Sequence, residues 1–166
     1  MAQPDFVPGP ETEAAYREAL SAFGTGVTVV TTMTETGPVA MTANSFASVS
    51  LDPPLVLWCP AKSSKRHAVF AAAKHYVIHI IAEDQKEIAT HFARTGDDFS
   101  GVDWHQGEND LPILSGCLAR FDCLRRDVHD GGDHSIVVGQ VERAWHRPGL
   151  GLLYKRGKYG GFLRED

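Results

Sequence analysis

Three cysteines in 166 residues are too few and too scattered to organise this chain. Cys59, Cys117 and Cys123 form an odd set with no CxxC pair, which excludes a disulfide framework and a cysteine-rich zinc site and leaves packed thiols. Basic residues are scarce too: 16 Lys and Arg stand against 21 Asp and Glu, for a net charge of -5. They form no stripe of the kind that tracks a phosphate backbone, so no nucleic-acid partner is expected. No apolar run approaches the roughly 20 residues of a membrane-spanning helix, so no membrane role is expected either. The opening residues, MAQPDFVPGPETE, lack a basic stretch followed by an apolar one, which predicts a cytoplasmic protein. Common catalytic signatures are missing: there is no GxSxG, no HExxH and no GxxxxGK[ST], and Gly24-Thr25-Gly26 lacks the third glycine of a dinucleotide fingerprint.

What is present is an ordinary globular composition, 43% hydrophobic and 22% charged, in a length that suits one domain. We expect a single domain over 1–166 with its core over about 12–162. Tyr16, Ala19, Leu20 and Phe23 recur at helical spacing and Gly24 follows, so a helix precedes the sheet. VTVVTTM, a turn at Glu35-Thr36-Gly37-Pro38 and a resumed extended pattern from Val39 predict a hairpin. Leu51-Asp52-Pro53-Pro54 breaks the chain before a short buried strand, LVLWC. Ser63 or Ser64 is a candidate cap for a helix running to Ala73, and YVIHIIA reads as another buried strand. Asp84 with Glu87 resembles a capping box for a helix that ends at Gly96. DDFSGVDWHQGENDLP reads as loop. Apolar residues alternate from Cys117 to Cys123, and Ser135 to Val141 and Leu152 to Lys155 supply further strands, the last ending at Arg156-Gly157. About seven strands, about three helices and tight turns predict a mainly β fold, an antiparallel barrel rather than an alternating βαβ sheet.

Three groups of residues are candidates for chemistry. Met41-Thr42-Ala43-Asn44-Ser45 combines small residues, which let a planar ligand approach the backbone, with directional hydrogen-bonding groups. The same residues suit a solvated strand edge. Pro60-Ala61-Lys62-Ser63-Ser64-Lys65-Arg66 gathers amides, hydroxyls and three cations where an anion would be held, with Arg94 as a further cation; a solvated basic helix start is the competing reading. His129-Asp130-Gly131-Gly132-Asp133-His134 reads as a tight turn that places His134 at the start of a strand, one ring nitrogen fixed by Asp133 or another acceptor and the other facing a substrate. A metal site on His129 and His134 and a plain solvated turn are the alternatives to that reading.

Together GTGVTVVTT, MTANSFASVSLDPPLVLWCP, the FAR segment, GDHSIVVGQVE and LLYKRGKYGG resemble, in order and spacing, the flavin reductase family, the small reductase components of two-component flavin-dependent monooxygenases. The resemblance implies a flavin-binding split β-barrel of Greek-key type that forms a homodimer. It also implies FMN, with FAD possible, NADH or NADPH as hydride donor, and an oxygenase that receives reduced flavin. Carried over by position, Thr42, Ala43, Asn44 and Ser45 line the flavin ring, Pro60, Lys62, Ser63 and Ser64 approach its phosphate, and Phe92, Ala93 and Arg94 form another flavin contact. His134 is implied beside the nicotinamide as the catalytic residue, with Tyr159 and Arg17 near it, and no metal is implied. The chain departs from the family where many relatives read Ser-x-Thr and this one reads Ser64-Lys65-Arg66. An arginine there suggests a charge-assisted phosphate contact in place of a hydroxyl. A non-enzymatic flavin carrier on the same barrel is the rival function.

Overall fold

The computed structural model describes residues 5–163. A helix α1 (Glu13–Ser21) leads into β1 (Thr25–Gly26), and β2 (Thr28–Thr34) and β3 (Gly37–Ala43) form the expected hairpin. Next come β4 (Ala47–Leu51), β5 (Pro54–Trp58), α2 (His67–Ala72) and β6 (His75–Ile80). After α3 (Lys86–Arg94) the chain forms β7 (Trp104–Gln106), β8 (Pro112–Leu114), a long hairpin of β9 (Ala119–Gly131) and β10 (His134–His146), and a last hairpin of β11 (Leu153–Lys155) and β12 (Lys158–Gly160).

Seven strands pair in the order β3-β2-β6-β9-β10-β5-β4, every neighbour antiparallel, with β1-β11-β12 and β7-β8 as separate small sheets. Strands β3 and β4 are the two edges of the large sheet, yet only Asn44, Ser45 and Phe46 join them. A flat sheet of seven strands would separate its edges by about 29 Å at ~4.8 Å per neighbour. Four Cα steps reach at most about 14 Å. The sheet must therefore curl until its edges approach, and those three residues cross the split where the barrel does not close.

Two apolar clusters fix that curl. Val30, Met41, Val56, Trp58, Phe70, Tyr76, Ile78, Cys123 and Val137 fill one side of the sheet, while Val29, Ala40, Ile81, Ala89, Phe92, Phe99 and Leu114 pack with others beneath α3 on the other side. Because β2 is covered on both faces, Thr28, Val29, Val30, Thr31 and Thr32 are all buried and the segment reads as a continuous β-branched run rather than an alternation. Its buried hydroxyls are satisfied: Thr28 donates to the Ala43 carbonyl at 2.7 Å, Thr31 to Pro112 at 2.6 Å and Thr32 to His75 at 2.8 Å.

Several local expectations are corrected. Helix α2 begins at His67, not at Ser63 or Ser64; residues 62–66 form turns instead, with the Ser64 hydroxyl accepting from the Arg66 amide at 3.2 Å. The entry to α3 is a turn of 3-10 helix, Glu83–Gln85, closed by the Gln85 side chain accepting from the Ala82 amide at 3.2 Å, and Asp84 with Glu87 is not the box. The expected loop after Gly96 holds the β7-β8 hairpin, whose Leu111, Ile113 and Leu114 are buried. Strand β10 runs past Val141 to His146. Finally β12 follows a turn in which Arg156 (φ 49°) and Gly157 (φ 73°) are both left-handed, the geometry of a two-residue hairpin, although the pair lacks the usual Asn-Gly composition.

His79 on β6 ties the hairpin to the barrel. Fully buried, it donates from Nδ1 to the Val29 carbonyl at 3.0 Å, and its Nε2 accepts the Leu114 amide at 3.1 Å. An amide can only donate, so Nε2 carries no proton and the ring is neutral. Burial is the main cause that lowers its pKa from 6.5 to about 4, outweighing the opposing Val29 bond. The unfolded chain takes up this proton below 6.5 and the folded one only near 4, so the stability contributed by neutral His79 is full above 6.5 and lost as the pH falls through that window. The loss amounts to about 3 kcal/mol. Thermal melts from neutral pH down to about pH 4 should show this decline, and His79→Gln should flatten it; parallel slopes for the two proteins would contradict the assignment.

Candidate active site

The crossing at the barrel split builds the first wall of a cleft. Thr42 and Ala43 end β3, Asn44 opens the crossing, and Val27, Tyr154 and Tyr159 complete a cavity of about 210 Å³. The two tyrosines are direct partners across the β11-β12 hairpin, with ring centroids 5.2 Å apart, and the Lys86 ammonium lies 5.8 Å from the Tyr159 ring centre. Tyr159, expected near the nicotinamide with His134, lines this cleft with Thr42, Ala43 and Asn44. Tyr154 was missed, although its register opposite Tyr159 was a signal in LLYKRGKYGG.

The polar groups of this segment divide into two uses. Thr42 donates its hydroxyl proton to the Ala89 carbonyl at 2.7 Å, anchoring the strand end to α3 while its lone pairs stay able to accept. Ser45 accepts the Cys59 amide at 2.8 Å and donates back to the Cys59 carbonyl at 3.2 Å. Its hydroxyl is therefore a joint between the crossing and the end of β5, not a free ligand group. Asn44 is exposed and Ala43 adds no bulk, so a planar molecule has both an open approach and an amide to meet.

Residues 60–62 run beside the start of β10. The Lys62 amide donates to the Asp133 carbonyl at 2.8 Å, the Ser135 amide to the Pro60 carbonyl at 3.1 Å, and Ala61 bridges His134. The Lys62 ammonium binds the Asp130 carboxylate and, at 2.6 Å, the Gly132 carbonyl, so it closes the β9-β10 turn. His134 Nδ1 meets the Asp133 carboxylate at 2.7 Å, with the ring partly exposed. A carboxylate only accepts, so Nδ1 donates and Nε2 is left to face outward. The hydrogen bond from His134 is the main reason the Asp133 carboxyl lies below its usual range, and Arg17 adds a small push the same way. Arg17 itself is exposed and paired with Glu13 at 2.8 Å on α1. His134 does not line the tyrosine cleft. Among the described residues no group of three or more His, Cys, Asp or Glu is placed to hold a metal.

A second cavity, about 620 Å³, lies between the 64–69 segment and the end of α3, lined by Ser64, Lys65, Arg66, Arg94, Thr95 and Asp97 among others. Ser63, Lys65, Ala93 and Arg94 are exposed. Phe92 is fully buried, so its ring belongs to the core and only its backbone is available to a ligand. Arg66 is the surprise: its guanidinium donates to the Ala40 carbonyl at 2.9 Å, to Phe92 at 2.7 Å, and to Ala93 and Thr95 at 3.3 Å. Both Nη groups are turned to the protein's own carbonyls, so the direct phosphate contact suggested by its place in the sequence is not what its terminal nitrogens make.

Small residues beside a ring-sized cleft, tyrosines opposite, and a cationic groove nearby suit a planar heterocycle that carries a phosphate. Comparison with known proteins agrees with that chemistry. Residues 20–162 match the flavin reductase like domain. The chain is 52% identical over 160 residues to the FMN reductase (NADH) SmoA of Agrobacterium fabrum, covering 96% of this chain and 92% of that protein. It is 41% identical to HsaB, the reductase subunit of a flavin-dependent monooxygenase of Mycobacterium tuberculosis, over 90% of this chain and 82% of that one. The NADH:FAD oxidoreductase of Streptomyces globisporus, solved in complex with NAD and FAD fragments, superposes with a TM-score of 0.88 at 36% identity, covering 96% of this chain and 98% of that one. A matching domain over most of the chain, relatives of nearly equal length and a shared fold lead to one conclusion: this chain belongs to the flavin reductase family.

Proposed function

We propose that this chain is the reductase component of a two-component monooxygenase, moving a hydride from NADH to FMN and passing the reduced flavin to an oxygenase. The observation that carries the reading is the pairing of the cleft at Thr42, Ala43 and Asn44 with a separate cationic groove at Ser64, Lys65 and Arg94. A ring fits the first by size and exposed backbone, and a phosphate fits the second by charge. The two sites communicate through the protein: Thr42 is bonded to α3, whose last turn lines the groove. A bound flavin supplies the redox chemistry, accepting a hydride at its ring. The chain's own part is to bind, orient and shield.

In this reading Thr42, Ala43 and Asn44 contact the ring, and Ser45 holds the crossing rigid against Cys59. Pro60, Lys62, Ser63 and Ser64 shape the approach to the phosphate, with Ala93, Arg94 and the Phe92 backbone as its far wall. His134, braced by Asp133, orients the nicotinamide, with Tyr159 and Arg17 flanking it. Orientation of two reactants is a large lever, worth about 7 to 11 kcal/mol in favourable cases, and requires no general base. An open cleft suits a flavin that must leave again, and the subunit names of the relatives support an oxygenase partner.

A homodimer is part of the proposal. Helix α1 has no buried residue; Tyr16 and Leu20 on it and Phe23 just beyond its end are 44%, 56% and 79% exposed, an apolar strip that a second copy would cover. Sedimentation as a monomer at micromolar concentration would contradict it.

The test of function is NADH oxidation by the purified chain with and without added FMN. Turnover of many equivalents of NADH per protein is expected only with flavin present. Flavin binding without turnover would instead favour the carrier reading.

A further inference from the structure

We propose that Arg66 is a positioning residue that converts the end of α3 from a wall that repels anions into one that tolerates a phosphate. The inference rests on the placement of the flavin phosphate in the groove of the preceding section. A helix ends in unpaired carbonyls and carries about half a negative charge there. Helix α3 ends at this groove, where Asp97 adds a carboxylate. Unmodified, that end opposes a phosphate. Arg66 places its fixed positive charge on it, donating to the Phe92, Ala93 and Thr95 carbonyls of the terminus and also to Ala40 of β3. The planar fork reaches four carbonyls at once, which a lysine ammonium on its single atom does not reproduce.

Gly96 is an independent sign that the chain accommodates this arrangement. A Cβ there would stand 2.2 Å from Arg66 Cδ and 3.0 Å from the Ala40 oxygen, so any larger residue would push the side chain out of place. Arg66 also joins two separate segments of the groove, the turn at Ser64 and the end of α3, so the phosphate wall is assembled across more than twenty residues of sequence.

Riboflavin and FMN differ by one phosphate, and their dissociation constants, measured by flavin fluorescence, isolate the effect. Wild type is expected to prefer FMN. Arg66→Gln keeps hydrogen-bond donors but loses the charge, and should cut the FMN-to-riboflavin preference about tenfold with riboflavin affinity within about twofold of wild type. Arg66→Lys, which keeps the charge, should retain most of the preference. Should Arg66→Gln fail to fold, Gly96→Ala displaces the guanidinium without removing it and should also lower the preference. An unchanged ratio in a folded Arg66→Gln, or equal weakening of both ligands in the Gln and Lys variants, would overturn the assignment and leave Arg66 as a plain brace. A wild type that binds riboflavin and FMN equally would defeat the phosphate placement itself, and this inference with it.

Discussion

Replacing His134 with alanine should slow flavin reduction by a factor on the order of 10 to 100 while flavin affinity stays close to that of wild type. The split follows from position. His134 stands at the first residue of β10, bridged to Ala61, and does not line the cleft of Thr42 and Tyr159 in which the ring is placed. Its Nδ1 is committed to Asp133 at 2.7 Å, which fixes the ring and leaves Nε2 for a ligand. With His134 in the proposed role, loss of the imidazole removes an orienting contact to the hydride donor and none to the flavin. Rapid-mixing kinetics of FMN reduction by NADH, set beside a flavin titration, separates the two. Reduction at the wild-type rate would remove His134 from the chemistry, and a parallel loss of flavin affinity would place it in the flavin site instead.

The largest effect on stability is expected at Gly139. This residue sits in β10 next to a register shift against β9, and a Cβ there would stand 2.2 Å from the Tyr76 hydroxyl oxygen, 3.0 Å from its Cζ and 3.1 Å from Cys123 Cβ. Tyr76 is fully buried between Trp58 and the rest of the barrel interior, with the Trp58 ring centre 6.1 Å away, so it has little room to retreat. Gly139→Ala should destabilise the fold by about 2 to 3 kcal/mol through overpacking. That corresponds to a drop in melting temperature on the order of 5 to 10 °C. The Tyr76 hydroxyl has no regular hydrogen-bond partner among the described residues. Tyr76→Phe should therefore be nearly neutral alone and recover part of the loss in the double variant, a coupling that a double-mutant cycle reads directly. Additive effects of the two changes would show that the contact is not the cause.

How much of this was legible in the sequence depends on whether the signal is local. The β2-β3 hairpin follows from VTVVTT and the turn at Gly37, because β-branched density and turn residues act over a few positions. The fold as a mainly antiparallel β structure was legible for the same reason. A barrel was expected, but which edges meet was not legible, since three residues join strands that are six places apart in the sheet order. The site divides in the same way. Small and polar residues at Thr42 to Asn44 stood out locally, and they do line a cleft. Ser45 looked like a ligand group because nothing local shows that Cys59 claims its hydroxyl. Phe92 reads as a site residue by position, yet helical periodicity turns its ring into the core. Arg66 looked like a phosphate ligand, and only the tertiary approach of α3 shows where its donors go.

Where the flavin lies is tested most directly by a crystal structure of the chain grown with FMN. The ring is predicted along Thr42, Ala43 and Asn44 opposite the two tyrosines, with the phosphate in the groove beside Ser64, Lys65 and Arg94. A flavin bound elsewhere on the barrel, with that cleft and groove filled by solvent, would contradict it.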